Sequence, residues 1–139
     1  MKIKRYGNRY VVRIDKGEEI IESLKRVCEE NSITAGSVMG IGATNKAMVG
    51  LFNTETKKYH SKEFEGDFEI APLCGNVSTM DDKTYLHIHA NLCDSNLNSC
   101  GGHLNSAIVS ATFECVIDVI DGKLDRIFNE ETGLNLLDI

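Results

Sequence analysis

The chain has no tryptophan, a single proline (Pro72) and no apolar run near the ~18–20 residues of a helical membrane span. With proline that scarce and 42% of residues hydrophobic, collagen-like, mucin-like and disordered classes are excluded. A basic excess is missing too: 21 acidic residues against 15 basic ones leave a net charge of −6. Neutralising phosphates dominates nucleic-acid affinity, so this balance argues against a free-standing nucleic-acid binder. None of the five cysteines (Cys28, Cys74, Cys93, Cys100, Cys115) falls in a C-x-x-C pair. An odd count without short pairs fits neither a secreted disulfide framework nor a cysteine zinc site. The opening MKIKRYGNRY also lacks the apolar stretch of a signal peptide. These absences lead to the expectation of a reduced, cytoplasmic protein, and 139 residues suit one domain spanning 1–139.

What is present divides into one helical and many extended segments. Asn8 to Ile14 is rich in β-branched and aromatic residues and predicts a strand. Asp15 and Glu18 have capping-box spacing, and Ile20, Ile21, Leu24, Val27 and Cys28 then recur on one helical face. The spacing predicts an amphipathic helix over 18–31. After it the chain turns to short apolar segments: Gly36–Ala43, Lys46–Phe52, Lys57–Glu65, Phe68–Ile70 and Leu73–Ser78. Tyr85–Leu92 and Ala111–Ile120 are the clearest strands, and Cys93–Gly102 reads as a polar connection between them. In the tail, Leu124, Ile127 and Phe128 form a short hydrophobic cluster. The expected class is α+β, sandwich-like, with a mainly antiparallel sheet.

Three of the four histidines fall within 17 residues, and two of them form an H-x-H pair. Residues two apart on a strand point the same way, so His87 and His89 project together beside Tyr85 and Asn91. Such a pair offers a divalent ion two neutral nitrogens, and His103 would supply a third if the chain folds back. Three histidines with an open position suit zinc; more open positions suit iron, manganese or nickel. The alternative is a hydrogen-bonded, unmetallated polar surface. His60, in KKYHSK, reads as a surface residue.

Glu114 lies on the less apolar face of its strand, as a fourth ligand, a carboxylate partner to a histidine, a general base, or a solvated edge charge. Gly101 and Gly102 before His103 suggest a sharp turn or close chain approach. Gly40-Ile41-Gly42 lacks the third glycine and the helix of a dinucleotide fingerprint, and close strand packing explains it better. Cys93 and Cys100 are spaced seven apart, which matches no standard zinc pattern. Lys2, Lys4, Arg5, Arg9 and Arg13 cluster at the start, as a basic patch or as the solvated face of a strand.

Taken together, IAPLCGNVS (70–78), YLHIHANLCD (85–94) and GGHLNSAIVSATFECVI (101–117) resemble the PPC domain family, conserved in plants and prokaryotes. The helix opening GEEIIESL (17–24) and VMGIGATNKAMVGLF (38–52) fit it as well. In bacteria this family carries a provisional DNA-binding name with a PD1-like motif. The resemblance implies a mainly antiparallel sheet flanked by helices and assembled as a homotrimer. It also implies a metal ion held by His87, His89 and His103, and on donor chemistry zinc is the first expectation. An enzyme or sensor acting on a small molecule and a DNA-binding regulatory module are both open on this resemblance. The plant members' basic R-G-R-P minor-groove segment is absent, and no Arg-Gly-Arg occurs here.

Overall fold

A computed structural model describes residues 1–139. The chain begins with an antiparallel hairpin, β1 (Lys2–Tyr6) and β2 (Arg9–Asp15), in which Ile3 faces Val12. Every residue of β1 is exposed, so no buried alternation marks it in the sequence. In β2 every second residue turns inward, burying Tyr10, Val12 and Ile14.

The helix α1 (Ile20–Glu30) starts two residues later than its spacing predicts. Its N-cap is Glu19, whose carboxylate accepts from the Glu22 amide at 2.6 Å and the Ala107 amide at 2.7 Å. The expected Asp15–Glu18 box instead closes the preceding turn, with the Asp15 amide donating to Glu18 at 2.9 Å. Ile20, Ser23, Leu24, Val27 and Cys28 are buried, while Ile21 is only half-buried.

Four long strands follow: β3 (Gly36–Asn53), β4 (Lys58–Met80), β5 (Lys83–Cys93) and β6 (Ser99–Val119). The separate segments read between Lys57 and Ser78 are one strand, which passes Pro72 by slipping register against β5 between Ile70 and Leu73. Such irregularities bend a strand and increase its twist, and β3 has two more against β4, at Gly40/Gly42 and Thr44/Lys46. The connection after β5 is shorter than expected, because β6 already begins at Ser99 and contains both glycines.

The sheet order is β1-β2-β6-β3-β4-β5, all antiparallel, and β5 also pairs with β6. Strands β3 to β6 therefore close on one another, and the sheet curls around its core. A cluster of 23 buried residues joins α1 to the inner face of the sheet, with Phe113 fully enclosed. The architecture is a mostly antiparallel sheet with one short helix, so the expected flanking by several helices is not met. Beyond Asn31 the sequence carries no second 3.6-residue period, and no helix covers the other face of the sheet, which only the last residues of the chain overlie in part, at Asn76, Ser78 and Tyr85.

A final hairpin, β7 (Arg126–Asn129) and β8 (Leu134–Leu137), docks at the end of β4, where the Thr79 amide donates to Leu124 at 2.7 Å. The expected tail cluster is reversed in part: Ile127 and Phe128 face outward, and Arg126 is the buried residue. All five cysteines are free, and no helix is long and apolar enough to cross a membrane.

Candidate metal centre

The seam between β5 and β6 builds the site. Core packing holds Ile88, Ala90 and Leu92 inside, which leaves His87 and His89 on the outer face, His87 half-buried and His89 exposed. His89 is the direct ladder partner of His103, and His103 faces Gly50 of β3 on its other side. Close packing at the two glycines makes this possible. A Cβ at Gly102 would stand 2.6 Å from the Gly50 carbonyl oxygen, and one at Gly101 would collide with the Ala90 carbonyl. Bare backbone at 101 and 102 lets β6 fit between β5 and β3 and sets His103 beside His89.

One ring nitrogen from each of His87, His89 and His103 lies within 4.8 Å of the others. The Nε2 atoms of His87 and His89 are 3.3 Å apart, and the three ring centroids are separated by 5.1, 5.4 and 5.6 Å. Two nitrogens sharing a tetrahedral ion at about 2.0–2.1 Å stand about 3.3–3.4 Å apart, roughly 1.63 times the bond length. The His87–His89 spacing matches that value, and the all-imidazole donor set suits a borderline ion of the zinc, nickel, copper or iron type. Magnesium and calcium prefer oxygen ligands, which this group lacks. Burial lowers the pKa of His87, and the charges of Arg126 and His89 push the same way. His103 is lowered by burial first and then by His87 and His89. Both shifts favour the neutral ring, whose lone pair can ligate.

Several neighbours of the centre carry no local sequence signal. Cys74 is exposed and sits opposite His89 on β4, so a thiol flanks the histidines. Tyr59 lies edge-on to His103 at 6.2 Å and donates to Asn105 Oδ1 at 2.7 Å. Asn76 is the partner of His87, and it accepts a 2.7 Å hydrogen bond from Arg126. These relations depend on strand register, which only the long-range pairing supplies.

The other expectations sort differently. Glu114 is exposed and stands opposite Arg13 and Ile41, eleven residues beyond His103 on β6. Its neighbour Val116 stands three ladder steps from His89 across β3 and β4, roughly 15 Å at about 4.8 Å per strand, so Glu114 does not join the group of three histidines. His60 is exposed and paired with Leu51, as a surface residue should be. Cys93 and Cys100 flank the β5–β6 connection, with Cys100 packed against the core. Of the early cations, Arg9 pairs with Asp118 and Arg13 with Asp15, each at 3.1 Å. The Gly40-Ile41-Gly42 stretch is close strand packing: a Cβ at Gly40 would lie 2.6 Å from Phe113 and Cys115.

The face around the centre is partly apolar. A row of ladder partners runs Lys4, Val11, Val116, Met39, Cys74, His89. Met39 is 65% exposed and nearby Ile41 62%, values unusual for residues in mid-sheet.

Residues 1–121 match the family described as the Plants and Prokaryotes Conserved (PCC) domain. No curated protein matches the chain. Among solved structures, a protein of Bacteroides thetaiotaomicron with a provisional DNA-binding name is 37% identical, with a TM-score of 0.96 over 99% of this chain and 96% of that one. A metal-containing protein of Archaeoglobus fulgidus is 36% identical, with a TM-score of 0.86 over 98% of each chain. A plant- and prokaryote-conserved protein of Pyrococcus horikoshii is 28% identical, with a TM-score of 0.87 over 99% of this chain and 94% of that one.

Proposed function

The chain belongs to the Plants and Prokaryotes Conserved domain family, and on that premise we propose that it is a divalent-metal protein whose His87, His89 and His103 form a site for a small molecule. The observation that carries this reading is the meeting of three imidazole nitrogens within 4.8 Å on the face of the sheet opposite α1. The metal-containing relative at 36% identity supports it. Zinc is the first candidate on donor chemistry. When bound, such an ion would act as a Lewis acid toward a carbonyl or phosphoryl oxygen. The protein's part is to hold three neutral nitrogens in register and to keep the fourth side open. Whether the outcome is catalysis or sensing rests on what approaches that side.

Assembly as a homotrimer belongs to the same proposal. The exposed Met39, Ile41, Val11 and Val116 give a second copy an apolar surface to cover, and no element of this chain covers it. Five free cysteines support a reducing compartment, and we place the protein in the cytoplasm.

Metal analysis of the purified protein tests the reading, together with thermal unfolding with and without added zinc. Metal bound by the wild type should be lost in His87→Ala, and zinc should raise the unfolding temperature of the wild type alone. A protein that takes up no metal, or a His87→Ala variant with undiminished occupancy, would sink the assignment.

A second reading, a DNA-binding module, is favoured by the name of the Bacteroides relative. The net charge of −6 opposes it, as does the engagement of Arg9 and Arg13 by carboxylates. Titration with duplex DNA separates the two: true phosphate contacts require affinity to fall steeply as salt rises.

A further inference from the structure

Beside the histidines lies a buried cation without a counter-charge. Arg126 is 9% exposed, and its three hydrogen-bond partners are all neutral: Ser78 Oγ at 2.8 Å, the Asn135 carbonyl at 2.6 Å and Asn76 Oδ1 at 2.7 Å. The guanidinium also stacks over Tyr85, 4.7 Å from its centroid. Asn76 is the ladder partner of His87, and Tyr85 precedes His87 by two residues on the same face. The charge is therefore held next to the histidine centre. It comes from β7, beyond residue 121 where the family match ends.

Taking a charge out of water without an opposite partner is costly, and proteins rarely keep such an arrangement unless something else supplies the partner. A guanidinium has five N–H donors in a planar fork suited to carboxylate and phosphate. Three are used by the protein, which leaves two. No carboxylate belongs to the group of His87, His89, His103, Asn76, Ser78 and Tyr85 that surrounds this charge.

We propose that Arg126 is the anion-binding residue of the histidine site, so that the small molecule it takes carries a carboxylate or phosphate group. This rests on the small-molecule reading of the site and adds the chemical class. An oxyanion between the guanidinium and the histidines would meet positive charge on one side and, with metal bound, on the other. The fork would orient it, while the neutral Asn76 keeps Arg126 in place without cancelling its charge.

The competing role, that Arg126 merely staples the final hairpin, is separable by experiment. Asn76→Asp places a carboxylate where an amide oxygen now stands 2.7 Å from the guanidinium. It keeps the staple and cancels the charge. Benzoate, phenylphosphonate and uncharged benzamide are titrated calorimetrically into zinc-loaded and chelator-stripped protein, with zinc content and unfolding temperature measured on each sample. At least one anion is expected to bind ten times or more tighter than benzamide, and Asn76→Asp to weaken it at least tenfold with the fold intact. Arg126→Gln should do the same, but it removes the hairpin's staple together with the charge, which is why Asn76→Asp decides. Equal binding of anions and benzamide, or undiminished anion binding by Asn76→Asp, overturns the proposal. If the wild type holds no zinc, the metal reading fails by itself. The stripped-protein titration then still judges Arg126, with the same tenfold criterion.

Discussion

The two faces of β5 show how one strand serves two purposes. Leu86, Ile88, Ala90 and Leu92 point toward α1 and the core, where Ile88, Ala90 and Leu92 are buried. Tyr85, His87, His89 and Asn91 point the other way, onto a face no helix covers. The inward residues hold the register, since a slip of one position would carry the histidines into the core and the aliphatic residues out of it. The site thus inherits its geometry from packing on the opposite side, and the outward residues are free to be chosen for chemistry. The same contrast runs along β3, where Val38 is buried and Met39 beside it is open.

Thiol chemistry should divide the faces most sharply. Burial pushes the Cys28 and Cys115 thiols up to about 12. At pH 8 their thiolate fraction is on the order of one in ten thousand, with the buried sulfur also shielded. Exposed Cys74 should therefore be labelled by a thiol reagent at least a thousandfold faster in the native protein. Comparable native rates for Cys74 and Cys115, read by peptide mass mapping, would break the contrast. The pKa direction adds a sign: raising the pH toward 12 should recruit the buried pair by ionisation as well as by unfolding.

Next in size is the core itself. Phe113→Ala removes a fully buried ring beneath Gly40 and Gly42 and should destabilise the fold by about 3–5 kcal/mol in urea unfolding. A loss below about 1 kcal/mol would mean the inner face repacks freely. Gly102→Ala probes the seam. Its Cβ would press on the Gly50 backbone and push β6 from β3, so zinc affinity should drop about tenfold while most of the core stays packed. Unchanged affinity would show that His103 adapts to a shifted strand. Smallest is Met39→Ser, expected to change the unfolding free energy of an isolated subunit by less than about 0.5 kcal/mol. If the proposed trimer forms, its effect should appear in sedimentation instead, as a loss of assembled species, and a shift in subunit stability alone would argue that Met39 packs within the chain.

His87 and His89 were legible because strand periodicity states which residues share a face, and a tyrosine–histidine–histidine–asparagine series alternating with aliphatics is unambiguous. His103 was legible only as a candidate: its approach to His89 depends on sheet closure through pairs far apart along the chain. Glu114 misled for the complementary reason, since parity gives the face of a residue but not its distance along a bent strand. Cys74, Asn76 and Tyr59 could not be found without register. Arg126 was hidden by its neighbours, because Ile127 and Phe128 look like the inward residues of any tail strand and the arginine looks like the outward one. The helix is legible because five apolar positions recur on one face, although its N-cap, Glu19, lies four residues beyond the Asp15 of the capping-box spacing.

The closing pairs of the sheet run only from His89–His103 to Cys93–Ser99. A seam that short is the segment of a closed sheet expected to open first, well below global unfolding. His89 and His103 sit on opposite banks of it, so any ligand gripping both acts as a clasp across the join. Occupancy of the site would then be felt as slower amide exchange in residues 89–93 and 99–103, before any change reaches the strands behind them.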